Sequence, residues 1–531
     1  MIIIELKIFE SKENIVIFLL FSAAFFYLFW KIRFGINLYD EGISLYGAVR
    51  VLEGYIPYRD FYYLYPPGNL YVLALLFKSF GPSILISRIF NFIISFLILI
   101  CSYIIIKNIV SDKISLYISF ILITLWLGID QSFSSVSIPI LSILIASIFV
   151  FKYLNNRMRS NLVIIGILTG ITAYFRLDFS LYLFLSVTLI LTMFNYEYYL
   201  HLGDNKLLSL IRSEKSLLIF VVTSILTVIP LIIFLLYYIP IYQLISQFIT
   251  YPMQIYPLYH NLPLTYHNLN LLPTILFIYA CASGYMIYKQ FKGTFNPTKD
   301  FKVVFMLILG LCLLYYAKVR PDIGHFFPTI IIAIILFAYV CSEIIVIMDL
   351  IQPKIAIKNI KSSLLKFFII CIVIGSFLIF IIPVSSGNMT PLDLERGHGI
   401  YIHQPDDLVA AVKYIQLKVP SNEKIFIGDT TTDRTVGSNV MFYFLSGRDS
   451  GVFYYDLEPG VITTHQVQLE MIKELKQNKV SYIILWSGAD NIIEPNKSNQ
   501  SSGVEDLDNF ISNHYIKTEK FGNYTIYLKK N

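Results

Sequence analysis

The sequence predicts an α-helical polytopic membrane protein with a small C-terminal α/β domain. Apolar residues make up 56% of the 531 residues and charged residues only 14%, which is the composition of a membrane protein rather than a soluble one. The apolar residues gather in about eleven segments that approach the length of a membrane span. After residue 384 these segments stop and short helix and strand patterns alternate. We therefore expect a transmembrane domain over 1–384 and a soluble extracytoplasmic domain over 385–531.

The predicted spans follow one another along the transmembrane domain. They cover 15–32, 84–106, 114–129, 136–154, 161–177, 179–194, 217–239, 269–288, 303–318, 325–348 and 367–384. With the N-terminus inside, the inner loops hold about twice as many Lys and Arg residues as the outer loops before residue 385, which is the bias that sets orientation. The sequence thus predicts a multi-pass cell-membrane protein with a cytoplasmic N-terminus. An odd number of spans then makes the C-terminal domain extracytoplasmic.

The first outer loop, 33–83, is too apolar to be a free linker. Leu45, Ala48, Val49 and Leu52 recur at helical spacing, which predicts a short helix lying on the membrane surface. Pro66-Pro67-Gly68 breaks the chain, and 69–80 is predicted to form a second short helix. The loop should therefore carry two surface helices.

The C-terminal domain shows helix patterns near 405–418, 463–477 and 504–514. Strand patterns occur at 424–428, 482–486 and 524–528, and this alternation is typical of an α/β domain. The domain contains no nucleophile elbow, glycine-rich phosphate loop or metal-ligand spacing. We interpret it as an acceptor-binding or lid module, with a purely structural cap as the alternative.

Cysteine usage and net charge exclude several classes of function. All five cysteines fall inside apolar segments, so neither a disulfide framework nor thiol or zinc chemistry is predicted. The net charge of +6 is spread along the chain, and no nucleic-acid partner is indicated. His260 and His267 lack ligand spacing, so no metal-binding residue is predicted.

Charged side chains outside the inner loops collect at one level, the outer ends of the spans. They include Asp40, Glu41, Arg59, Asp60, Arg176, Asp178, Arg320, Asp322 and His325. A secondary transporter is expected to carry ionisable groups or broken helices at the membrane midplane. No carboxylate falls clearly at the middle of a predicted span. The distribution favours an enzyme that works on a lipid-borne substrate, although a transporter or flippase of a lipid-linked saccharide and a non-catalytic scaffold remain alternatives.

Several short motifs occur in a recognisable order. They are Tyr39-Asp40-Glu41-Gly42, Pro57-Tyr58-Arg59-Asp60, Pro66-Pro67-Gly68, Gly81-Pro82-Ser83 with Arg88 and Asn91, Arg176-Leu177-Asp178, and Arg320-Pro321-Asp322 with His325. In order and spacing, this set resembles the GT-C membrane glycosyltransferases over roughly residues 15–350. Within that superfamily it is similar to the protein O-mannosyltransferase and lipid A aminoarabinose transferase group, related to glycosyltransferase family 39.

The resemblance implies a donor sugar carried on a polyprenyl phosphate. It further implies transfer outside the cytoplasm, with inversion, to a lipid, glycan or protein acceptor. Asp40 would be the catalytic acid–base residue and Glu41 would stand beside it. The lipid A enzymes have a Lys directly before the paired prolines, whereas this chain has Tyr65. The donor phosphate must then be contacted from elsewhere, or the donor is held differently.

Glycosyl transfer requires an activated hydroxyl and a stabilised leaving phosphate. A carboxylate acting as general base contributes about 10²–10⁴-fold, and Asp40 is the candidate. Glu41 could orient Asp40, position the acceptor or help to hold a divalent cation. Arg320, His325 and Arg176 are the candidates for binding the phosphate. Supporting roles are predicted for Asp178, Asp322, Arg59, Asp60 and Tyr65.

Each of these residues also has a structural interpretation. Asp40-Glu41 suits the N-terminus of a helix whether or not it is catalytic. Arg176 and Asp178 could form an ion pair that closes a turn, and Arg320 with His325 could anchor a helix at the interface. Arg59-Asp60 is better explained as a pair that holds the loop.

Overall fold

The structure is a computed structural model that describes residues 12–201, 206–264, 271–351 and 389–530. Helices make up most of the N-terminal part. They are α1 (Lys12–Lys31), α2 (Asp40–Leu52), α3 (Gly68–Phe80), α4 (Ile84–Ile109), α5 (Lys113–Leu127), α6 (Ser137–Asn156), α7 (Arg159–Ala173), α8 (Leu177–His201), α9 (Lys206–Tyr238), α10 (Ile241–Ile245), α11 (Tyr256–Tyr259), α12 (Leu271–Phe291), α13 (Pro297–Tyr316) and α14 (Ile323–Ile351). A π-helix, Ser246–Ile255, joins α10 to α11.

The predicted polytopic architecture is confirmed. Each predicted span up to 325–348 coincides with one of these helices, whereas the last, 367–384, lies outside the described residues. Among the described residues, seven helices are long and apolar enough to cross a membrane. The helices α5 and α7 are shorter, with 15 residues each.

Small residues allow the helices of the bundle to approach closely. Gly166 and Gly170 of α7 face α9, where a Cβ atom on Gly166 would lie 1.8 Å from the Thr223 hydroxyl oxygen. A Cβ on Gly170 would lie 2.5 Å from the Cβ of Thr227. Such small-residue contacts are typical of helix packing in membranes, where burial from water supplies little driving force.

The helix predicted at the start of the first outer loop forms, but its surroundings differ from the prediction. Instead of lying free on a membrane surface, α2 is buried from Glu41 to Arg50. It packs against α3 and a C-terminal helix, Met441–Ser446. A Cβ on Gly42 would lie 2.4 Å from the backbone nitrogen of Met441. The apolar face therefore has a protein partner, which the local periodicity could not reveal.

The C-terminal part contains the predicted α/β arrangement, together with one helix and three strands that were not predicted. Its helices are α15 (Asp406–Lys418), α16 (Met441–Ser446), α17 (His465–Gln477) and α18 (Asp506–His514), and its strands are β1 (Met389–Pro391), β2 (Tyr401–His403), β3 (Ile425–Asp429), β4 (Tyr482–Trp486), β5 (Tyr515–Phe521) and β6 (Tyr524–Lys529). The main sheet has the order β3-β4-β6-β5. Only β3 and β4 run parallel, while β6 is antiparallel to both β4 and β5.

The first outer loop and the C-terminal part share one hydrophobic core. The ring of Tyr46 on α2 stacks on Tyr443 at 5.0 Å between centroids and meets Tyr455 edge-on at 4.9 Å. The Tyr46 hydroxyl accepts a hydrogen bond of 2.7 Å from the backbone N–H of Ser450. The two regions thus lie on the same side of the helix bundle.

Candidate active site

Asp40 is the first residue of α2, and a short turn holds it. The side-chain oxygen of Asn37 accepts the backbone N–H of Asp40 at 2.9 Å, and the Asn37 amide donates to the Asp40 carboxylate at 3.3 Å. The Asp40 side chain reaches solvent, yet protein surrounds it at longer range. That burial raises the pKa of Asp40, opposed by the Asn37 hydrogen bond and the charge of His325. A carboxylate with a raised pKa is better matched to taking a proton near neutral pH.

Glu41 occupies a different environment from its neighbour. Its two oxygens accept hydrogen bonds of 2.7 and 2.8 Å from the Arg88 guanidinium. The Glu41 side chain is 0% exposed and that of Arg88 2%. Consecutive helical residues point about 100° apart, which is why one carboxylate reaches solvent while the next lies inside. Both Glu41 oxygens are therefore engaged in a buried ion pair.

Arg176 lies in the turn before α8. Its guanidinium donates to Asp178 through Nε at 2.9 Å and Nη2 at 2.7 Å, and to the Ser135 hydroxyl at 3.2 Å. The rings of Tyr65 and Tyr316 lie 4.8 and 5.2 Å from its central carbon. The charge is thus fixed between a carboxylate and two aromatic faces.

Arg320 binds two carboxylates at the turn before α14. Its Nη1 and Nη2 donate to Glu494 at 3.0 and 2.6 Å, and its Nε donates to Asp322 at 2.9 Å. His325 Nδ1 lies 2.8 Å from the other oxygen of Asp322. Although burial favours the neutral acid, the His325 hydrogen bond and the nearby positive charges hold the pKa of Asp322 below its usual range. Asp322 therefore joins the two cationic side chains.

Electrostatic neighbours link Asp40 to the cationic side chains. His325 and Asp322 are close enough to influence the charge of Asp40. Asp40 in turn acts on Tyr65, which contacts Arg176. Asp322, His325 and Tyr65 therefore lie within electrostatic range of Asp40, and Arg176 contacts Tyr65.

Arg59 and Asp60 serve the loop itself. The Arg59 guanidinium donates to both oxygens of Asp60, at 2.8 and 2.6 Å. One of those oxygens also accepts the backbone N–H of Ile56 at 2.7 Å. These contacts close the turn that precedes the paired prolines.

The C-terminal part adds two acidic residues for which the sequence analysis predicted no role. Glu458 is buried and accepts hydrogen bonds from the Tyr39 hydroxyl at 2.8 Å and from the Tyr251 hydroxyl, and its other contact is His260 Nε2 at 2.6 Å. Burial opposes its charge, but His260 lowers the pKa of Glu458. No local sequence pattern marks Glu458, because its partners are distant along the chain.

Asp456 lies two residues earlier and is also buried. Within the described chain, neither of its carboxylate oxygens has a hydrogen-bond partner. Burial and the neighbouring charge of Glu458 raise the pKa of Asp456 well above its usual value. In the ranges that the structure describes, no group of three or more His, Cys, Asp or Glu side chains is arranged to hold a metal ion.

No family model matches the sequence, and no curated protein matches it significantly. Solved structures do match. The apo oligosaccharyltransferase of Archaeoglobus fulgidus aligns with a TM-score of 0.56 and 11% identity, over 88% of this chain and 69% of that one. Apo ArnT from Cupriavidus metallidurans aligns with a TM-score of 0.55 and 11% identity, over 97% of this chain and 98% of that one. The chain shares the fold of these two proteins.

The GT-C resemblance predicted from the motifs is thus confirmed for the fold. The helical bundle and the small C-terminal sheet domain both fall within the aligned length, which reaches 97% of the chain for ArnT. ArnT bound to undecaprenyl phosphate aligns equally far, with a TM-score of 0.53. At 11% identity the alignment establishes a shared fold but not a shared activity.

Proposed function

We propose that this GT-C protein is a membrane glycosyltransferase. It moves a single sugar from a polyprenyl-phosphate donor to a lipid, glycan or protein acceptor on the extracytoplasmic side, with inversion. The observation that carries the proposal is Asp40, a carboxylate that reaches solvent, has a raised pKa and lies near His325. The fold supports it, since one similar structure holds undecaprenyl phosphate and another a tethered acceptor peptide.

Asp40 acts as the general base in this proposal. It takes the proton of an acceptor hydroxyl while the hydroxyl oxygen attacks the anomeric carbon of the donor sugar. The bond from that carbon to the phosphate oxygen breaks, and the phosphate leaves with the electron pair. A single displacement from the opposite face inverts the anomeric configuration.

Arg176 and Arg320 stabilise the leaving phosphate. A guanidinium has five N–H donors, and the protein contacts described above use three on each arginine. The remaining donors are available to phosphate oxygens. Arg176 also lies against Tyr65, so it provides positive charge beside the position where the lipid A enzymes have a Lys. His325 adds a donor when it is protonated.

Glu41 supports the reaction indirectly. Its ion pair with Arg88 fixes the first turn of α2, because Arg88 also donates to the carbonyl groups of Ile32 and Phe34 at 3.1 and 3.2 Å. The two carbonyls belong to the segment that leads into α2. The pair therefore determines where Asp40 is held, and we assign Glu41 a positioning role.

The proposal is tested in a deletion strain by mass spectrometry of envelope lipids and glycans. The wild-type gene should restore a product heavier by one sugar, whereas Asp40→Asn should lower its rate of formation by about 10²–10⁴-fold. Asp393→Asn is the matched control, since Asp393 is exposed and pairs with Lys413, which is also exposed. Full restoration by Asp40→Asn would refute the general base. A product that is moved across the membrane without a new glycosidic bond would indicate a flippase.

A binding measurement separates the phosphate contacts from the base. Native mass spectrometry of the purified protein with undecaprenyl phosphate should show that Asp40→Asn still binds the lipid. Arg176→Lys keeps the charge but loses the planar fork, and we expect it to bind less lipid than the wild type. Equal binding by Arg176→Lys would remove Arg176 from the phosphate site.

A further inference from the structure

The C-terminal sheet carries a cavity at the end of its two parallel strands. β3 ends at Asp429, and its parallel neighbour β4 ends at Trp486. In α/β sheets, ligands bind in the crevice outside the carboxyl ends of such strands. The enclosed part of the cavity has a volume of about 20 Å³, which is enough for one water or one hydroxyl group, and the shallow crevice around it measures about 300 Å³ when the part open to solvent is counted. Its lining includes Asp429, Arg434, Thr435, Asp490, Ile492 and Asn499.

Asp429 has an unmet hydrogen-bonding requirement in this cavity. It is only 6% exposed, and one carboxylate oxygen accepts a hydrogen bond of 2.6 Å from the Thr435 hydroxyl. Within the described chain, its other oxygen is buried without a partner. Burial raises the pKa of Asp429 to about 7, against the effect of the Thr435 hydrogen bond. A buried polar atom without a partner costs free energy, which a ligand hydroxyl at this position would recover.

The other polar groups of the lining suit a polyhydroxylated ligand. Asp490 is exposed and uses one oxygen to accept the Thr430 hydroxyl at 2.7 Å. Arg434 is exposed and offers N–H donors, while the Asn499 amide both donates and accepts. Two carboxylates disfavour an anion. A sugar ring, with neighbouring hydroxyls that both donate and accept, matches this combination of carboxylates, guanidinium and amide.

A short segment connects the cavity to the candidate active site. The carbonyl of Leu457 lies 3.2 Å from the Thr435 hydroxyl at the cavity. The next residue, Glu458, accepts the hydrogen bond from Tyr39, which directly precedes Asp40 in the chain. Two consecutive residues, Leu457 and Glu458, thus contact the cavity and the start of α2 respectively.

A second segment makes the same connection from the other side. Residues 489–499 line the cavity at both ends. Between those ends, Glu494 forms the ion pair with Arg320, and the Asn496 amide donates to the carbonyl of Asn261 at 3.1 Å. Two segments of the chain therefore run from the lining of the cavity to residues of the candidate active site or its surroundings.

We infer that this cavity binds a saccharide that belongs to the acceptor of the reaction. That the saccharide belongs to the acceptor rests on the proposed function. That the cavity binds a saccharide rests only on the residues that line the cavity. Asp429 and Asp490 accept hydrogen bonds from neighbouring sugar hydroxyls, and Arg434 and Asn499 donate to the ring or linkage oxygens. The acceptor is then a glycan or glycolipid whose existing sugar is held here while a further hydroxyl reaches Asp40.

The test uses the full-length protein in lipid nanodiscs on an array of immobilised mono- and oligosaccharides. We expect the wild type to bind a defined subset of sugars. Arg434→Ala removes an exposed side chain and Asp490→Asn removes an exposed negative charge, so both variants should fold, and each should weaken binding at least tenfold. Lys517→Ala changes an exposed residue of β5 away from the cavity lining and serves as the control with unchanged binding.

Two results would overturn the inference. One is a wild-type protein that binds no sugar on the array, and the other is undiminished binding by both Arg434→Ala and Asp490→Asn. Asp40→Asn distinguishes this inference from the proposed function, because it should bind the same sugars as the wild type while failing to form product. Sugar binding without any transfer by the wild type would leave the saccharide site standing and refute the glycosyltransferase. Sugar transfer by a wild-type protein that binds no sugar on the array would support the glycosyltransferase and refute the saccharide site.

Discussion

The substitution Glu41→Gln should destabilise the protein strongly. The exchange keeps the size of the side chain but removes its charge, and it leaves the Arg88 guanidinium at 2% exposure without a counter-charge. Breaking a buried ion pair by removing one partner costs about 3–5 kcal/mol. The two short hydrogen bonds, at 2.7 and 2.8 Å, and the near-complete burial of both side chains favour the upper part of that range.

Thermal unfolding of the detergent-solubilised protein measures this loss. Four free cysteines lie within the described helices: Cys101, Cys281, Cys312 and Cys341. A thiol-reactive dye that fluoresces on reaction therefore reports the opening of the bundle. We expect a melting temperature several degrees below that of the wild type. Glu13→Gln is the matched control, because Glu13 pairs with Lys113 at an exposed position where ion pairs contribute little.

Equal melting temperatures for Glu41→Gln and Glu13→Gln would refute the predicted cost of breaking the buried ion pair. A variant that keeps wild-type stability but loses product formation would also contradict the positioning role. In that case Glu41 would take part in the chemistry directly. The double variant Glu41→Leu with Arg88→Met should recover much of the stability, because apolar replacement of both partners removes the unpaired charge.

Three further outcomes are expected. Gly42→Ala should cost about 1–3 kcal/mol by overpacking, since its Cβ would meet the backbone of Met441, whereas Gly284→Ala, whose Cβ meets nothing within 4 Å, should leave the melting temperature unchanged or raise it. The rate of product formation should fall as the pH drops through the raised pKa of Asp40, because a protonated base is inactive; a flat acidic limb down to the ordinary Asp pKa would contradict this assignment. Glu458→Gln should make the C-terminal part easier to remove by limited proteolysis, and unchanged cleavage would show that this contact does not hold it.

The bundle could be predicted from the sequence because each span is a local property. A run of apolar residues predicts a helix wherever it occurs, and each predicted span within the described residues coincides with a helix of the bundle. The same logic located α2 from Leu45, Ala48 and Val49. Periodicity reports that a helix has an apolar face, but it contains no information about which distant segment covers that face. The contact with Met441–Ser446 could therefore only come from the structure.

In the candidate site, too, local features could be predicted from the sequence and long-range contacts could not. Asp40 stands in a recognisable short motif, and the turns with Arg176 and Arg320 lie beside predicted spans. The partners of Arg320 and of Tyr39, which precedes Asp40, were harder to predict, because Glu494 and Glu458 come from irregular segments more than 150 residues away. Glu41 shows a further difficulty. Adjacent carboxylates look equivalent in a sequence, and only the direction in which each side chain points separates the solvent-facing one from the buried one.

The packing of α2 against the C-terminal part has a consequence for biosynthesis. Tyr46 and its partner Ser450 are 404 residues apart, and Tyr39 and Glu458 are 419 apart. The ribosome therefore delivers α2 early and the C-terminal residues that cover it last, and forming contacts between residues so far apart in the sequence is slow. The apolar face of α2 therefore stays without its C-terminal cover until translation has passed residue 458. If the proposed function holds, activity should begin only after that point.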